Sequence, residues 1–397
     1  MKIVIISSDK YPDGGASANR HLAYAKGLVE SGHSVTFILL SPQPVSEIGW
    51  NEDGLSFKPA YKKNLFSKMA RNHSSLVPIP SIKRGKRILL ELNSKNAVNV
   101  VILLDTHVWM LTPFLKVCKK YSITVIHERT EYPLVTIKRK VFGKVHLWLY
   151  KHLILNNLDG IFVINSALKN YFTNLTRQRI PVEVINMIVD PSRFDKPDKG
   201  NHYPYRYIAY CGSMGPEKDG TDILINAFCT AVNKLQGYED LKLMLIGRIP
   251  DESVREVLNR AINDCDCTEK VVFSGFIQRQ SIPEILNNAM ALALARPAGI
   301  QAEGGFPTKL GEYLATGKPV IVTNTGEIGH YLKDGYNAFL AEPGSAESFS
   351  GKIREVFGDY AKATEIGQNG KKLIYNEFNY LHQANRLIDF IHSVKNA

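Results

Sequence analysis

The sequence predicts an α/β protein built from two domains, each organised around a parallel sheet. Short apolar, β-branched segments recur along the chain and alternate with helical patterns, which is typical of strand–helix–strand units. With 397 residues, the chain is long enough for two domains that each bury a core. A polar stretch rich in Pro and Gly, residues 195–204, has the composition of a linker between them.

The first domain is predicted to begin with a strand at residues 2–7, a Gly-containing loop at 13–16 and a helix that starts near Ser17. A second strand is expected at 35–40, so the chain opens as a Rossmann-type half. The dinucleotide pattern GxGxxG is absent, so a dinucleotide site is not supported. Gly15 belongs either to a tight turn or to a surface that lies under a bound ligand.

Two stretches of the first half are rich in Lys and Arg. Residues 45–95 look irregular and carry basic clusters at 61–71 and 83–87 among aromatic and aliphatic residues. They fit either a solvated loop or a segment that binds a membrane surface or an acceptor. Residues 136–155 form a basic predicted helix, which either packs on the core through its apolar face or lies on anionic lipid.

Polar side chains follow two apolar strands predicted at 98–104 and 123–126. Ligands of open parallel sheets bind beyond the carboxyl ends of the strands. The candidate site residues of the first domain are therefore the polar residues at these two ends: Asp105, His107, His127 and Glu128.

The second half repeats the strand–helix pattern, with strands predicted at 207–210, 242–247, 271–276 and 320–322. A long amphipathic helix is predicted at 379–395.

The most informative stretch of the second half is AGIQAEGGFPTKLGEYLATGKPVIVTN, residues 298–324. A Gly-rich loop with one carboxylate, Glu303, leads into a helix that starts at Pro307–Thr308 and carries Lys309 and Glu312. The start of such a helix presents backbone N–H groups to a phosphate. Glu312, one turn inside, can accept hydrogen bonds from sugar hydroxyls. By residue types alone, an ordinary loop–helix–strand unit fits equally well.

The net charge of +11 lies in the first half of the chain. Residues 1–197 contain 28 Lys and Arg against 14 Asp and Glu, whereas residues 198–397 contain 21 against 24. A basic surface suggests nucleic acid, an anionic membrane or an acidic substrate as partner. No apolar run reaches the roughly 18 residues of a membrane-spanning helix, and the N-terminal residues lack the features of a signal peptide. The five scattered cysteines are expected to be reduced thiols of a cytoplasmic protein.

The stretch FPTKLGEYLATGKPVI resembles the donor-site signature of retaining, family-4-like glycosyltransferases (glycosyl transferases group 1) of the GT-B fold. The loop at residues 212–222, GSMGPEKDGTD, resembles the E-K-G loop of that family, in which Lys218 matches the phosphate-binding lysine. The usual Arg of that loop is Ser213 here, which removes one cation. Family members with two glutamates keep them eight residues apart, whereas Glu303 and Glu312 are nine apart.

The resemblance implies two Rossmann-like domains that face each other across a cleft. The expected bounds are 1–197 for an acceptor-binding domain and 198–378 for a nucleotide-sugar-binding domain. Residues 379–397 are expected to form a C-terminal helix that crosses back to the first domain.

The resemblance also implies site residues, with no metal site and no cofactor. Lys218, Glu303 and His107 are the expected catalytic residues, although the resemblance does not choose among the four strand-end candidates of the first domain. The expected donor-binding residues are Gly15, Lys218, the backbone at Ile277, Gly305, Phe306, Pro307, Thr308 and Glu312.

The implied function is retaining, metal-independent transfer of a sugar from a nucleotide-diphospho-sugar to a glycan or lipid-linked acceptor, as in bacterial surface polysaccharide synthesis. The protein is expected in the cytoplasm, peripheral on the inner face of an anionic membrane, and nucleic acid is not an expected partner. Two alternatives stay open. One is a nucleotide-sugar epimerase of the same fold, which needs no acceptor. The other is a catalytically silent partner subunit, which the departures at Ser213 and Gly304 favour.

Overall fold

The computed structural model describes most of the chain in two compact units. The described residues are 1–11, 15–42, 54–61, 77–133, 140–195, 200, 203–265 and 267–396, with the backbone alone at 140–142 and 396. Unit 1 comprises Met1–Ile188 together with Tyr380–Ala397, and unit 2 comprises Val189–Asn379.

Unit 1 contains a seven-stranded sheet in which every neighbouring pair is parallel. Its strands are β1 Lys2–Ser7, β2 Ser34–Leu39, β3 Leu55–Pro59, β4 Val100–Leu103, β5 Thr124–Arg129, β6 Gly160–Val163 and β7 Val182–Val184. Its helices within the first 188 residues are α1 Gly15–Glu30, α2 Ile79–Lys95, α3 Val108–Lys120, α4 Lys140–Leu149 and α5 Ser166–Leu175. A π-helical turn, Tyr150–Ile154, and a 3₁₀ turn, Leu155–Asn157, follow α4 directly.

Unit 2 contains a second all-parallel sheet, of six strands. Its strands are β8 Tyr207–Cys211, β9 Lys242–Ile246, β10 Val271–Gly275, β11 Ala291–Leu294, β12 Val320–Thr323 and β13 Phe339–Ala341. Its helices are α6 Pro216–Asp219, α7 Thr221–Val232, α8 Glu252–Asp264, α9 Ile282–Asn288, α10 Ile300–Glu303, α11 Thr308–Thr316, α12 Ile328–Tyr331, α13 Ala346–Gly358 and α14 Tyr360–Leu373. Three short turns are 3₁₀ or π: Pro191–Arg193, Thr268–Lys270 and Ile374–Phe378.

Each sheet reverses its strand order once. The order is β3-β2-β1-β4-β5-β6-β7 in unit 1 and β10-β9-β8-β11-β12-β13 in unit 2. The loops after the two central strands diverge at such a switch point and leave a crevice in which ligands of α/β proteins bind. The switch points, at β1/β4 and β8/β11, are therefore the places to look for sites.

The last helix, α15 (Tyr380–Asn396), packs on α1 within unit 1. The two helices approach closely at Gly27, where an added Cβ would lie 2.5 Å from the Cβ of Ala384. Leu387 and Ile391 are fully buried in the same core as the strands β1 and β2. The apolar stripe predicted for this helix is thus a core face, and any side chain at Gly27 would separate α15 from α1.

The irregular stretch predicted at 45–95 is wrong in part, because it contains β3 and α2. The buried residues of α2 include Ile82, Gly85 and Leu89, at helical spacing, and the basic cluster at 83–87 occupies its exposed side. The other basic cluster, from residue 62 onward, lies outside the described residues, as do Asp13 and Gly14. The first helix starts at Gly15 and not at Ser17.

The unit boundary lies nine residues before the one expected from composition. Residues 189–195 pack on unit 2, since the amide of Val189 donates to the carbonyl of Phe378 at 2.9 Å and Lys371 pairs with Asp195 at 3.1 Å. The Pro/Gly-rich stretch begins only after these contacts, so composition alone places the boundary too late.

The basic helix predicted at 136–155 is α4 followed by the π turn, with residues 134–139 outside the described part. Val145 and Trp148 on this segment are 54% and 60% exposed. The interpretation of this face as part of the core is therefore wrong for these two residues. In the portion of the chain that the structure describes, no helix is both long and apolar enough to cross a membrane.

Candidate functional site

The loops after β8 and β11 bring the predicted donor-site residues of unit 2 to one switch point. The loop after β8 leads into α6, which carries Lys218, and the loop after β11 leads through α10 into α11, which carries Glu312. A hydrogen bond joins the end of β8 to α11. The hydroxyl of Tyr313 on α11 accepts from the amide of Cys211, the last residue of β8, at 2.7 Å. Motifs that are about 90 residues apart in sequence are thus adjacent in space.

Helix α11 begins as the sequence predicts. Pro307 is its N-cap residue, in an extended conformation that fixes the entry of the chain, and Thr308 is the first helical residue. The first amides of an α-helix lack an intrahelical acceptor, and they lie at the positive end of the helix dipole. With Gly305 and Phe306 before it, this helix start is suited to an anion such as a diphosphate.

A buried ion pair ties α11 to α6. Lys309 Nζ donates to Asp219 Oδ2 at 2.7 Å and lies 3.0 Å from the hydroxyl of Tyr210. That hydroxyl lies 2.9 Å from the same carboxylate oxygen. Burial lowers the pKa of Lys309, the charge of Asp219 opposes this, and the nearby cation of Lys218 lowers it further. The pair therefore joins α11 to α6 at the residue that follows Lys218.

Gly220 allows α6 to approach the end of β11. Its φ of +63° is in the left-handed region, and an added Cβ would lie 2.0 Å from the carbonyl oxygen of Ala295. A side chain at this position would be strained and would also push the two loops apart.

The carboxylate of Glu312 does not stand alone. Arg193, in the 3₁₀ turn Pro191–Arg193, donates from Nη1 to Glu312 Oε1 at 2.6 Å, and the two side chains are 18% and 17% exposed. A carboxylate has about four lone-pair positions, so pairing with one guanidinium nitrogen leaves capacity for sugar hydroxyls. Arg193 binds this carboxylate and fixes its direction.

The other donor-site candidates of unit 2 occupy the same edge of the sheet. Lys218 is exposed on α6, and Ile277 is half-buried in the loop after β10. Glu303 is the exposed last residue of α10, and Gly304 caps that helix with φ −86°. Gly305 follows without a positive φ. Neither glycine of this loop has a positive φ, and the role of Glu303 stays a prediction.

In unit 1, Gly15 and His107 lie at the starts of α1 and α3, which follow β1 and β4 at the switch point. Gly15 has φ +77°, and an added Cβ would meet no atom within 4 Å. His107 is the N-cap residue of α3, its ring centroid is 6.3 Å from that of His146, and burial lowers its pKa. The catalytic role of His107 and the donor contact of Gly15 stay predictions.

The three other strand-end candidates are tied into unit 1. Asp105 accepts a hydrogen bond from Ser8, and burial raises its pKa to about 6. Burial also lowers the pKa of His127 to about 3. Burial alone would raise the pKa of Glu128, but the charges of Arg20 and His21 outweigh it and hold the pKa at about 2. Glu128 is buried and bound by Arg20 at 2.6 Å, so this pair joins β5 to α1.

Sequence reasoning missed Arg193, Asp219 and the role of Lys309. A cation in the first turn of a helix opposes the dipole. Lys309 at the second position of α11 could therefore have indicated a buried carboxylate nearby. Among the residues that the structure describes, no group of three or more His, Cys, Asp or Glu side chains is arranged to hold a metal ion.

Residues 192–373 match the family model described as glycosyl transferases group 1, and these residues make up nearly all of unit 2. Unit 2 thus resembles this family along nearly its whole length. The resemblance found in the sequence motifs is thus confirmed, and with it the GT-B fold of two parallel-sheet α/β domains.

The known proteins that are similar to this chain share little sequence identity with it. The GDP-mannose-dependent alpha-(1-6)-phosphatidylinositol monomannoside mannosyltransferase of Mycobacterium tuberculosis is 22% identical over 245 residues, which are 59% of this chain and 61% of that enzyme. The chain thus matches less than two thirds of the length of that relative. The sucrose-phosphate synthase structure from Thermosynechococcus elongatus has a TM-score of 0.74 at 14% identity and covers 100% of this chain and 99% of that one. Anabaena HepE, solved with UDP-glucose, has a TM-score of 0.71 at 14% identity and covers 99% and 100%.

Proposed function

We propose that the protein is a retaining glycosyltransferase that moves a sugar from a nucleotide-diphospho-sugar to a glycan or lipid-linked acceptor in surface polysaccharide synthesis. The observation that carries the proposal is the family match over unit 2, since the helix start at Thr308, Lys218 and Glu312 all lie in that unit. The UDP-glucose complex of HepE and the GDP-mannose dependence in the name of the mycobacterial relative support a nucleotide-sugar donor.

In the proposed site, unit 2 binds the nucleotide sugar through two of its parts, the diphosphate and the ribose. The first amides of α11 and the ammonium of Lys218 bind the diphosphate and neutralise the charge that develops on the leaving group. Glu312, fixed by Arg193, accepts hydrogen bonds from the ribose hydroxyls. The bond between the anomeric carbon and the phosphate oxygen breaks, the acceptor oxygen bonds to the same face of that carbon, and the acceptor proton passes to the departing phosphate.

A screen for donors tests the proposal directly. The thermal unfolding of the protein should shift upward with at least one nucleotide sugar among UDP-, GDP-, ADP- and dTDP-sugars, because a ligand that binds only the folded state stabilises it. Release of free nucleotide should then require an acceptor. If no donor stabilises the protein, the proposed activity fails. If the nucleotide sugar isomerises without an acceptor, the epimerase alternative replaces it.

Transfer is expected to proceed without a divalent metal ion. On the proposed mechanism, the charge of the leaving diphosphate is met by Lys218 and the dipole of α11, so EDTA should leave the initial rate unchanged. The measurement is the rate of nucleotide release with and without EDTA. Loss of activity that Mg²⁺ or Mn²⁺ restores would contradict this part of the mechanism.

We also propose that the protein associates with an anionic membrane surface. This proposal is based on exposed basic and apolar side chains of unit 1. Lys83, Arg84, Lys86 and Arg87 are exposed on α2, and Trp148 is exposed on α4. Exposed aromatic and basic residues together suit the interface of an anionic bilayer. We expect the protein to co-sediment with anionic vesicles at low salt and to be released as salt screens the attraction.

Replacing Lys83, Arg84, Lys86 and Arg87 with Ser should weaken vesicle binding and leave donor binding unchanged. The matched control removes the same charge from other helices of unit 1, by Ser at the exposed positions Lys116, Lys119, Lys120 and Lys395. Equal loss in both variants would mean that net charge alone attracts the protein. If the wild-type protein stays in the supernatant even at low salt, the membrane proposal is wrong.

A further inference from the structure

Two polar side chains of β5 are buried on the face of the unit 1 sheet opposite Glu128. His127 is 0% and Arg129 is 4% exposed. Successive side chains of a strand point to opposite faces, so Glu128 binds Arg20 on one side while His127 and Arg129 point to the other. There the ring of His127 lies 5.8 Å from that of Tyr150, the first residue of the π turn.

This cluster contains several buried polar atoms that have no hydrogen-bond partner among the residues that the structure describes. The atoms are His127 Nε2, Arg129 Nε, Tyr150 Oη and, at the partly exposed edge, His146 Nδ1. Arg129 Nη2 donates to the carbonyl of Glu131 at 3.0 Å. In the described ranges, no carboxylate lies within ion-pair distance of the Arg129 guanidinium.

An arrangement of this kind is costly to the fold. More than nine in ten buried polar groups in proteins have a hydrogen-bond partner. A buried guanidinium without a counter-ion is worse, because burial removes its hydration and nothing replaces it. The π turn that places Tyr150 is itself a rare conformation that recurs at functional sites. Several polar atoms without hydrogen-bond partners on one face of β5 indicate that a bound ligand supplies those partners.

We infer that Arg129, Tyr150 and His127 form a binding site for an oxyanion, the phosphate or carboxylate group of a small molecule or lipid. The guanidinium Nε–H and the Tyr150 hydroxyl donate to anionic oxygens. His127 Nδ1 lies 2.8 Å from the carbonyl of Leu103, so Nδ1 donates there and Nε2 of the neutral ring accepts, which suits a hydroxyl of the same ligand.

The position of the site suggests which molecule carries the oxyanion. His146 stacks on Tyr150 at 6.4 Å and lies 6.3 Å from His107, the catalytic candidate of unit 1. The oxyanion would therefore belong to the acceptor. This assignment rests on the proposed function, whereas the existence of the site does not.

The test follows thermal unfolding of the full chain against inorganic phosphate, with NaCl added to equal ionic strength. Phosphate should raise the unfolding temperature of the wild type and of the Arg87→Met control, an exposed arginine of the same unit. It should not raise that of Arg129→Met. Without phosphate, Arg129→Met should unfold at the same temperature as the wild type or higher, because the substitution removes an uncompensated buried charge.

Tyr150→Phe removes only a hydroxyl that has no partner, so the variant should fold normally and bind phosphate several-fold more weakly. Lys218→Ala separates this site from the diphosphate site of unit 2, and it should keep the response that depends on Arg129. If Arg129→Met unfolds at a lower temperature without phosphate, Arg129 is structural and the inference is wrong. An unchanged phosphate response in both Arg129→Met and Tyr150→Phe would equally overturn it.

Two further ligands distinguish the source of the oxyanion. Glucose 1-phosphate tests a soluble acceptor, and vesicles of phosphatidylglycerol, compared with phosphatidylcholine, test a lipid headgroup. An Arg129-dependent response to either supports the site, and a response to none of the three phosphates overturns it. If phosphate binding depends on Arg129 while no nucleotide sugar binds, the proposed function fails and the site stands.

Discussion

Replacing Lys309 with Met is expected to destabilise unit 2 by about 3–5 kcal/mol, because it leaves the buried carboxylate of Asp219 without its cation. Urea unfolding followed by far-UV circular dichroism measures the effect. All three tryptophans, at positions 50, 109 and 148, belong to the sequence range of unit 1, so tryptophan fluorescence reports on that unit separately. The circular dichroism transition should shift to lower urea, whereas the fluorescence transition should shift less.

The neighbouring lysine provides the matched control. Lys218→Met removes an exposed charge that is distant in sequence but near Lys309 in space, and it should change the stability by no more than about 0.5 kcal/mol. The double variant Lys309→Met/Asp219→Asn should recover part of the loss, because it no longer contains a buried unpaired charge. A Lys309→Met protein as stable as the wild type would show that the pair does not hold α6 to α11.

Replacing Glu312 with Ala is expected to weaken donor binding by about 1.5–3 kcal/mol, the usual cost of removing a charged partner from buried hydrogen bonds. This corresponds to roughly a 10- to 150-fold higher dissociation constant. The physical reason is that the ribose hydroxyls would lose their ionised acceptor while Arg193 loses the carboxylate that it now binds. Calorimetric titration with the nucleotide sugar found by the donor screen measures the change.

Variants of Arg193 separate the direct contact of Glu312 with the donor from its contact with Arg193. Arg193→Met keeps the carboxylate and removes only its orientation, so donor affinity should fall less than in Glu312→Ala. The double variant Glu312→Ala/Arg193→Met removes the unpaired guanidinium and should be no weaker than Glu312→Ala alone. If Glu312→Ala binds the donor as tightly as the wild type, Glu312 is a partner of Arg193 only and lies outside the donor site.

Most of the fold could be predicted because the strands of parallel sheets are buried on both faces. Segments such as KIVIIS at 2–7 and VIVT at 320–323 are continuous apolar runs and are recognised in the sequence. Strand β3, at the sheet edge, is only partly buried and includes Lys58, so it lacks that pattern. Helix α2 was missed because its cluster of Lys and Arg hides an apolar stripe with few members.

The candidate site could be predicted only where a local motif carries it. The helix start at Pro307–Thr308 and the position of Glu312 follow from neighbouring residues. The partner of Glu312 is 119 residues away and that of Lys309 is 90 away, and no local pattern records such contacts. The same holds for His127 and Tyr150, whose rings lie 5.8 Å apart although the two residues belong to different elements of the chain.

Hydrogen–deuterium exchange with and without the best nucleotide sugar tests the central claim, that unit 2 binds the donor at its β8/β11 switch point. Slower exchange is expected in two segments, 212–220 and 304–313, because their amides would bind or cover the diphosphate and ribose. The Lys218→Ala and Glu312→Ala variants should lose this protection at the same ligand concentration. Protection confined to other segments, or none at a concentration that stabilises the protein, would contradict the account.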